Sequence, residues 1–402
     1  MTSVAESFVG DWNFPTQIRF GPGRVDELPE ACGELGISAP LLVTDPVLAA
    51  LPFVERTRSL CSEAGLRCGL FCEVRGNPVG DNVSAGVEAF RSGGHDGVIA
   101  LGGGSSLDVG KAVGLMVGQD LPIWEFEDIG NNFLKVDERG MVPVVAVPTT
   151  SGTGSEVGRC SVLLHEDEGR KVIIFHPKMM PGRVLADPEL TLDLPAHITA
   201  AVGMDAFSHN LEAFCAPGFH PMADGIALEG IRLVHIALLR AFRNGHDLGA
   251  RSQMMAASTL GATSFQKGLG AMHALSHPVS SVYNSHHGLT NAVVMPYVLA
   301  FNRPRIEGRI VQLSRLLDLA KPSFDGFLEW VLELRAELQI PHTLSSLGVV
   351  QEDCSDLAEA AAKDPTATQN PVPVHPKNLA ELYAAAIDGD LARASAAFAP
   401  PI

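Results

Sequence analysis

Gly270 to Gly288 reads GAMHALSHPVSSVYNSHHG, and three of its histidines stand where their ring nitrogens can converge. His273 and His277 are four residues apart, which puts them on one face of a helix, and His287 follows after a short turn. Asp205 and His209 repeat that interval within AAVGMDAFSHNLEAF, so a carboxylate and an imidazole project from one side of a second helix. A single histidine in an apolar helix is most often a hydrogen-bonded core residue. Two helical pairs together favour a shared metal ion.

The elements that must hold these groups fall into two kinds. In the first half, PLLVTD (Pro40 to Asp45), LRCGLFCEV, DGVIALGGG and MVPVVAVPTT are short, rich in Val, Leu and Ile, and bounded by Gly, Pro or Asp. They are expected to be buried strands, preceded by an opening strand at FPTQIRF and separated by helices. Such alternation predicts an α/β domain with a parallel, Rossmann-like sheet over residues 1–190, whose ligands bind beyond the carboxyl ends of the strands. From about Pro188 the pattern becomes helix after helix. Pro221 to Asn244, Asp247 to Phe265, Ile306 to Leu317 and Asp325 to Leu338 carry apolar residues at spacings of three and four, which predicts an all-α domain over residues 191–402.

GGGSSLDVGK (Gly102 to Lys111) follows a predicted strand and opens a predicted helix, with Ser105 or Ser106 available to cap it. Glycines let the backbone approach a phosphate, and free N–H groups at a helix start favour its charge, so this is a diphosphate cradle by mechanism. It is not a P-loop, because Lys111 is followed by Ala112 rather than Ser or Thr. VPTTSGTGSEVG adds short hydroxyl side chains on a second strand-to-helix connection, suited to ribose, phosphate or carboxamide. Asp45 ends a strand and is the type of residue that accepts hydrogen bonds from a ribose; a helix-capping aspartate is the alternative.

The chain has 402 residues, with 29 Lys and Arg against 46 Asp and Glu, a net charge of −17. A general binder of nucleic acid or anionic membrane is therefore not expected. MTSVAESFVGDW lacks a basic segment followed by an apolar run, and no stretch reaches the 18 or so apolar residues of a spanning helix, which gives the expectation of a cytoplasmic protein. Seven scattered cysteines fit reduced thiols rather than a disulfide framework.

GGGSSLDVGK, VPTTSGTGSEV, GMDAFSHNLEAF and HALSHP with HHGLTNAVVMP make the chain resemble the iron-containing (group III) alcohol dehydrogenases along nearly its whole length. The resemblance implies a nucleotide-binding α/β domain, a helical metal-binding domain and an active site between them, in a homodimer. It implies metal ligands at Asp205, His209, His273 and His287, with His277 near the nicotinamide outside the ligand set, as a catalytic residue that relays a proton or, equally, as one that orients the cofactor ribose. It also implies cofactor-binding positions at Asp45, Asn77, Gly104, Ser105, Ser106, Asp108, Thr149, Thr150, Thr153 and Lys171. All four ligand positions are intact, so metal dependence is expected, with Fe(II) the family metal and Zn(II) equally suited to the donor set.

The expected reaction is hydride transfer between NAD(H) and a small alcohol or aldehyde, semialdehydes and hydroxy acids included. Asp45 would repel a 2′-phosphate and so favour NAD(H) over NADP(H). A dehydroquinate-synthase-like lyase is the alternative, disfavoured because few basic residues flank the ligand helices. Arg159 is a candidate for a substrate carboxylate, and Trp124, Phe126, Phe265 and Tyr283 for a substrate pocket.

Overall fold

The computed structural model describes residues 16–398. The N-terminal segment MTSVAESFVGDW and the first two residues of FPTQIRF lie outside them. The chain divides into two compact units, one ending at Leu194 and one beginning at Pro195.

The first unit is built on a six-stranded parallel sheet with strand order β1-β8-β5-β4-β2-β3. Its strands are β1 (Gln17–Phe20), β2 (Pro40–Val43), β3 (Gly69–Phe71), β4 (Gly97–Gly102), β5 (Val144–Pro148) and β8 (Arg183–Ala186). Two further strands, β6 (Cys160–His165) and β7 (Arg170–Phe175), pair antiparallel as a separate hairpin. The helices are α1 (Leu28–Glu34), α2 (Pro46–Ala49), α3 (Pro52–Glu63), α4 (Gly80–Ser92) and α5 (Gly104–Met116). β2, β4 and β5 are buried along their whole length, as strands covered on both faces must be. One face, carrying Leu42, Ile99, Leu101, Val145 and Val147, packs against Leu28 and Cys32 of α1 and Val54 and Cys61 of α3. The other lies under α5, where Gly110 sits over Ala100.

Chain order runs outward from β2 to β3, then returns to β4 on the other side of β2 and continues through β5. That reversal is the topological switch point of the sheet, and the loops after β2 and β4 leave it side by side. Asp45 lies on one of these connections, and Gly103 joins β4 to α5 on the other.

The second unit is helical: α6 (Ala196–Cys215), α7 (Pro221–Arg243), α8 (Leu248–Ser264), α9 (Ala271–Tyr283), α10 (His287–Leu316), α11 (Phe324–Glu337), α12 (Cys354–Lys363), α13 (Pro376–Asp388) and α14 (Leu391–Ala396). α6 is its axis: every residue from Thr199 to Cys215 is buried, with α7, α8 and α10 packed around it. No helix among the described residues is long and apolar enough to cross a membrane.

Two expectations are corrected. The helix expected from Ile306 begins at His287 and runs 30 residues through Pro296 and Pro304. The glycine run at 152–158 does not open an α-helix; it ends in a single 3-10 turn, Ser155–Val157, and leads into the β6–β7 hairpin.

Candidate metal centre and nucleotide loops

Asp205, His209 and Glu212 follow one another at intervals of four and three along α6, so they share one face of a largely buried helix. Buried polar groups on such a face cost free energy unless something pairs with them. Asp205 meets His273 of α9 and His287 at the start of α10, and one donor atom from each lies within 4.8 Å of the other two. The turn between α9 and α10 is made by Asn284 in the left-handed region, φ 50°, which lets α10 start beside α6. Gly288 permits the approach, because a Cβ there would overlap the Ala201 carbonyl and stand 2.8 Å from Asp205 Cβ. Asn291, one turn along α10 from His287, points its Nδ2 at the same three groups: 3.0 Å from Asp205 Oδ1, 3.3 Å from His273 Nε2 and 3.1 Å from His287 Nε2.

The imidazoles are oriented from behind. His273 Nδ1 lies 2.6 Å from Glu212 Oε2, while Glu212 Oε1 accepts from the Met272 backbone N–H at 2.7 Å. A carboxylate so placed accepts a hydrogen bond from Nδ1–H, keeps the proton on that nitrogen and leaves Nε2 as the lone-pair donor to a cation. Burial opposes protonation of His273, but the bond and charge of Glu212, with the charges of Asp205 and Asp364, outweigh it and raise its pKa. His287 Nδ1 is 3.2 Å from the Ser276 hydroxyl, which again turns Nε2 toward the cluster. An oxygen donor and two Nε2 lone pairs converging at this spacing, each imidazole held from its far side, fit a divalent ion such as Fe(II) or Zn(II).

His209 stands slightly apart. Its ring stacks on His273 with centroids 4.7 Å apart and also packs against Phe265. Three of the four expected ligands therefore share one point, and the fourth lies against one of them.

His277 also adjoins the cluster, stacked on His287 at 5.0 Å. Its Nδ1 lies 2.7 Å from Oδ2 of Asp364, a residue at the end of α12 that the sequence reading did not single out. Asp364 Oδ1 accepts from the Thr366 backbone N–H and hydroxyl, at 2.9 and 2.6 Å. Burial would push the Asp364 carboxyl up, but His277 and Thr366 more than offset it and hold it down at about 2. Glu212 is the second residue not anticipated. Of the other candidate pocket residues, Tyr283 donates its hydroxyl to Asp353, Phe126 is fully buried, Trp124 packs at a tilt against His165, and Arg159 lies 5.6 Å from the Phe175 ring centre.

In the first unit, α5 is capped at Gly103 with no side-chain bond, so Ser105 and Ser106 are first-turn residues rather than caps. The N–H groups of that turn are thus left to a ligand or solvent. Gly102 has φ 144°, a conformation that excludes a side chain, and a Cβ there would also stand 2.7 Å from Ser106. Thr149 donates its N–H to Gly102 O, Thr150 lies over Gly103, and Thr153 lies over Gly104. These residues form one patch at the ends of β4 and β5. Asp45 Oδ1 caps α2, accepting from the Val47 and Leu48 N–H groups at 2.9 Å each. Asn77 holds φ 53° just ahead of α4. Asp108 instead turns inward, accepting from the Ser155 hydroxyl at 2.5 Å and the Val162 N–H at 3.0 Å. Lys111 is buried and donates to the Ser155, Gly158 and Cys160 carbonyls, so it ties α5 to the following loop. Lys171 lies on β7.

The family model for iron-containing alcohol dehydrogenase matches residues 15–188, and that for the Fe-containing alcohol dehydrogenase family, C-terminal, matches 199–387. The chain is 38% identical to 4-hydroxybutyrate dehydrogenase of Cupriavidus necator over 365 residues, covering 89% of this chain and 94% of that one. It is 32% identical to the NAD-dependent methanol dehydrogenase of Bacillus methanolicus, covering 87% and 93%. Among solved structures, 1,3-propanediol oxidoreductase superposes with a TM-score of 0.89 at 32% identity, over 94% of this chain and 100% of the other. Sulfoacetaldehyde reductase from Bifidobacterium kashiwanohense, in complex with NAD+, gives 0.86 at 28%, over 94% and 99%.

Proposed function

The chain belongs to the iron-containing alcohol dehydrogenase family, and from that membership we propose that it interconverts a small alcohol and its aldehyde using NAD(H) and a divalent metal ion, iron before zinc. The observation that carries this reading is the convergence of Asp205, His273 and His287. The lyase alternative falls away, since the matched families and relatives are alcohol dehydrogenases. When bound, the ion supplies a Lewis acid that polarises a carbonyl or acidifies an alcohol, and the nicotinamide supplies or accepts the hydride.

The chain's own residues do the rest. Asp205, His273 and His287 hold the ion, and His209 completes the set from its place beside His273. Glu212 and Ser276 fix which nitrogen each imidazole presents. Gly104, Ser105 and Ser106 offer first-turn N–H groups to a diphosphate, with Thr149, Thr150 and Thr153 beside them. Asp45 keeps Oδ2 for a ribose while Oδ1 caps α2. His277, its Nδ1 engaged, carries Nε2 as the atom that takes and returns the reaction proton. A short ω-hydroxy acid and its semialdehyde head the substrate class, supported by the relative that acts as a 4-hydroxybutyrate dehydrogenase.

The test is turnover of NADH with a panel of short aldehydes and semialdehydes, before and after stripping the metal. Activity should vanish in verified metal-free protein and return with Fe(II) or Zn(II). Full activity without metal would overturn the reading.

A further inference from the structure

His277 and Asp364 are 87 residues apart in sequence, yet Nδ1 and Oδ2 stand 2.7 Å apart. Only 13% of the His277 side chain and 10% of that of Asp364 is exposed, so the pair is largely shielded from water. Asp364 cannot turn freely, because its other oxygen is held twice by Thr366. The same device appears one helical turn away, where Glu212 takes the Nδ1 side of His273. There the consequence is an Nε2 lone pair facing the metal cluster. Two carboxylate–imidazole pairs on successive turns of one helix thus serve different atoms: one nitrogen is a ligand, and the other belongs to the ring stacked against the ligand His287.

We infer that Asp364 is the positioning residue of the proton-transfer step: it holds His277 in the Nδ1–H tautomer and fixed rotamer that make Nε2 the proton acceptor. The inference rests on the reading of His277 as the residue that handles the reaction proton. A neutral imidazole has one N–H and one lone pair, and a partner that accepts at Nδ1 decides where the lone pair is. An amide at position 364 keeps the shape of the carboxylate and can still accept from Thr366. It can also donate to Nδ1, which favours the opposite tautomer and places the N–H at Nε2. The side-chain hydrogen bonds of Asp364 go to His277 and Thr366, so its hold on the proton-handling group runs through His277.

The experiment compares metal-loaded wild type, Asp364→Asn, His277→Ala and the double variant by kcat, KM and metal content. Asp364→Asn should lose roughly 10- to 100-fold in kcat while KM and bound metal stay within about twofold of wild type. In the His277→Ala background the same change should cost nothing further, because two residues acting as one unit are not additive. In 15N-labelled, zinc-loaded protein, the His277 ring shifts should show the proton moving from Nδ1 to Nε2. An Asp364→Asn kcat within about twofold of wild type, or an equal additional loss on top of His277→Ala, would make Asp364 a mere anchor for the segment after α12 and overturn the inference. Wild-type rates in His277→Ala would instead remove the His277 reading itself, and the inference with it.

Discussion

At the scale of single residues, the proposed metal centre would depend on groups outside its own ligand set. Glu212 accepts one hydrogen bond from His273 Nδ1 and one from the Met272 backbone N–H, so each of its oxygens faces an N–H donor. Glu212→Gln places an N–H group against one of these donors and removes the charge. Metal affinity should fall roughly 10- to 100-fold, measured by competition with a chromogenic chelator. Unchanged affinity would mean that helix packing alone orients His273. Glu212 was legible in principle, since it lies three residues beyond His209 on the Asp205 face. Asp364 was not: no local spacing relates it to His277, and only the packing of α12 against α9 brings the two together. Asp108 and Lys111 show the reverse problem. Their place in a glycine-rich motif points to phosphate, whereas both side chains are engaged with the 155–162 segment.

Elements show a similar division. The buried strands announce themselves as short apolar runs, and the amphipathic helices by their spacing. The β6–β7 hairpin went unread although Gly169, at φ 63°, marks its turn, because the glycine run before it suggested a helix start. Prolines hid the first half of α10. A proline inside a helix lacks the N–H that would bond the carbonyl four residues earlier, which for Pro296 is that of Ala292. The structure supplies a substitute from a distant element. Arg335 of α11, 1% exposed, donates through Nη1 to the carbonyls of Ala292 and Val293 at 3.3 and 2.8 Å, and through Nη2 to His342 Nδ1 at 2.9 Å. No sequence-local rule could foresee that repair. Arg335→Met fills much of the space but leaves the Ala292 carbonyl without a donor. It should destabilise the protein by about 2 kcal/mol in denaturant unfolding. A change below about 0.5 kcal/mol would show that water takes over the carbonyls.

For the whole molecule, the decisive feature is that the proposed ligands are allotted to different cores. Asp205, His209, His273 and His287 all belong to the helical unit from Pro195 onward, whereas Asp45, Asn77 and the glycine loops all belong to the sheet unit ending at Leu194. Each unit has its own buried cluster, centred on α6 in one and on β2, β4 and β5 in the other. A ligand stabilises the unit that binds it by mass action, about 2.7 kcal/mol at a hundredfold excess over Kd. In units of this size that corresponds to a rise of roughly 5 to 10 °C. Scanning calorimetry of metal-free protein should therefore show a helical-unit transition that Zn(II) raises, and a sheet-unit transition that NADH raises without metal. NADPH should raise the latter less, because its 2′-phosphate would meet the Asp45 carboxylate, and Asp45→Gly should narrow that difference. An equal response to both cofactors in the wild type would leave Asp45 with its helix cap alone. A single transition moved by either ligand would show that the two cores unfold as one body, so that binding in one unit is felt throughout the other.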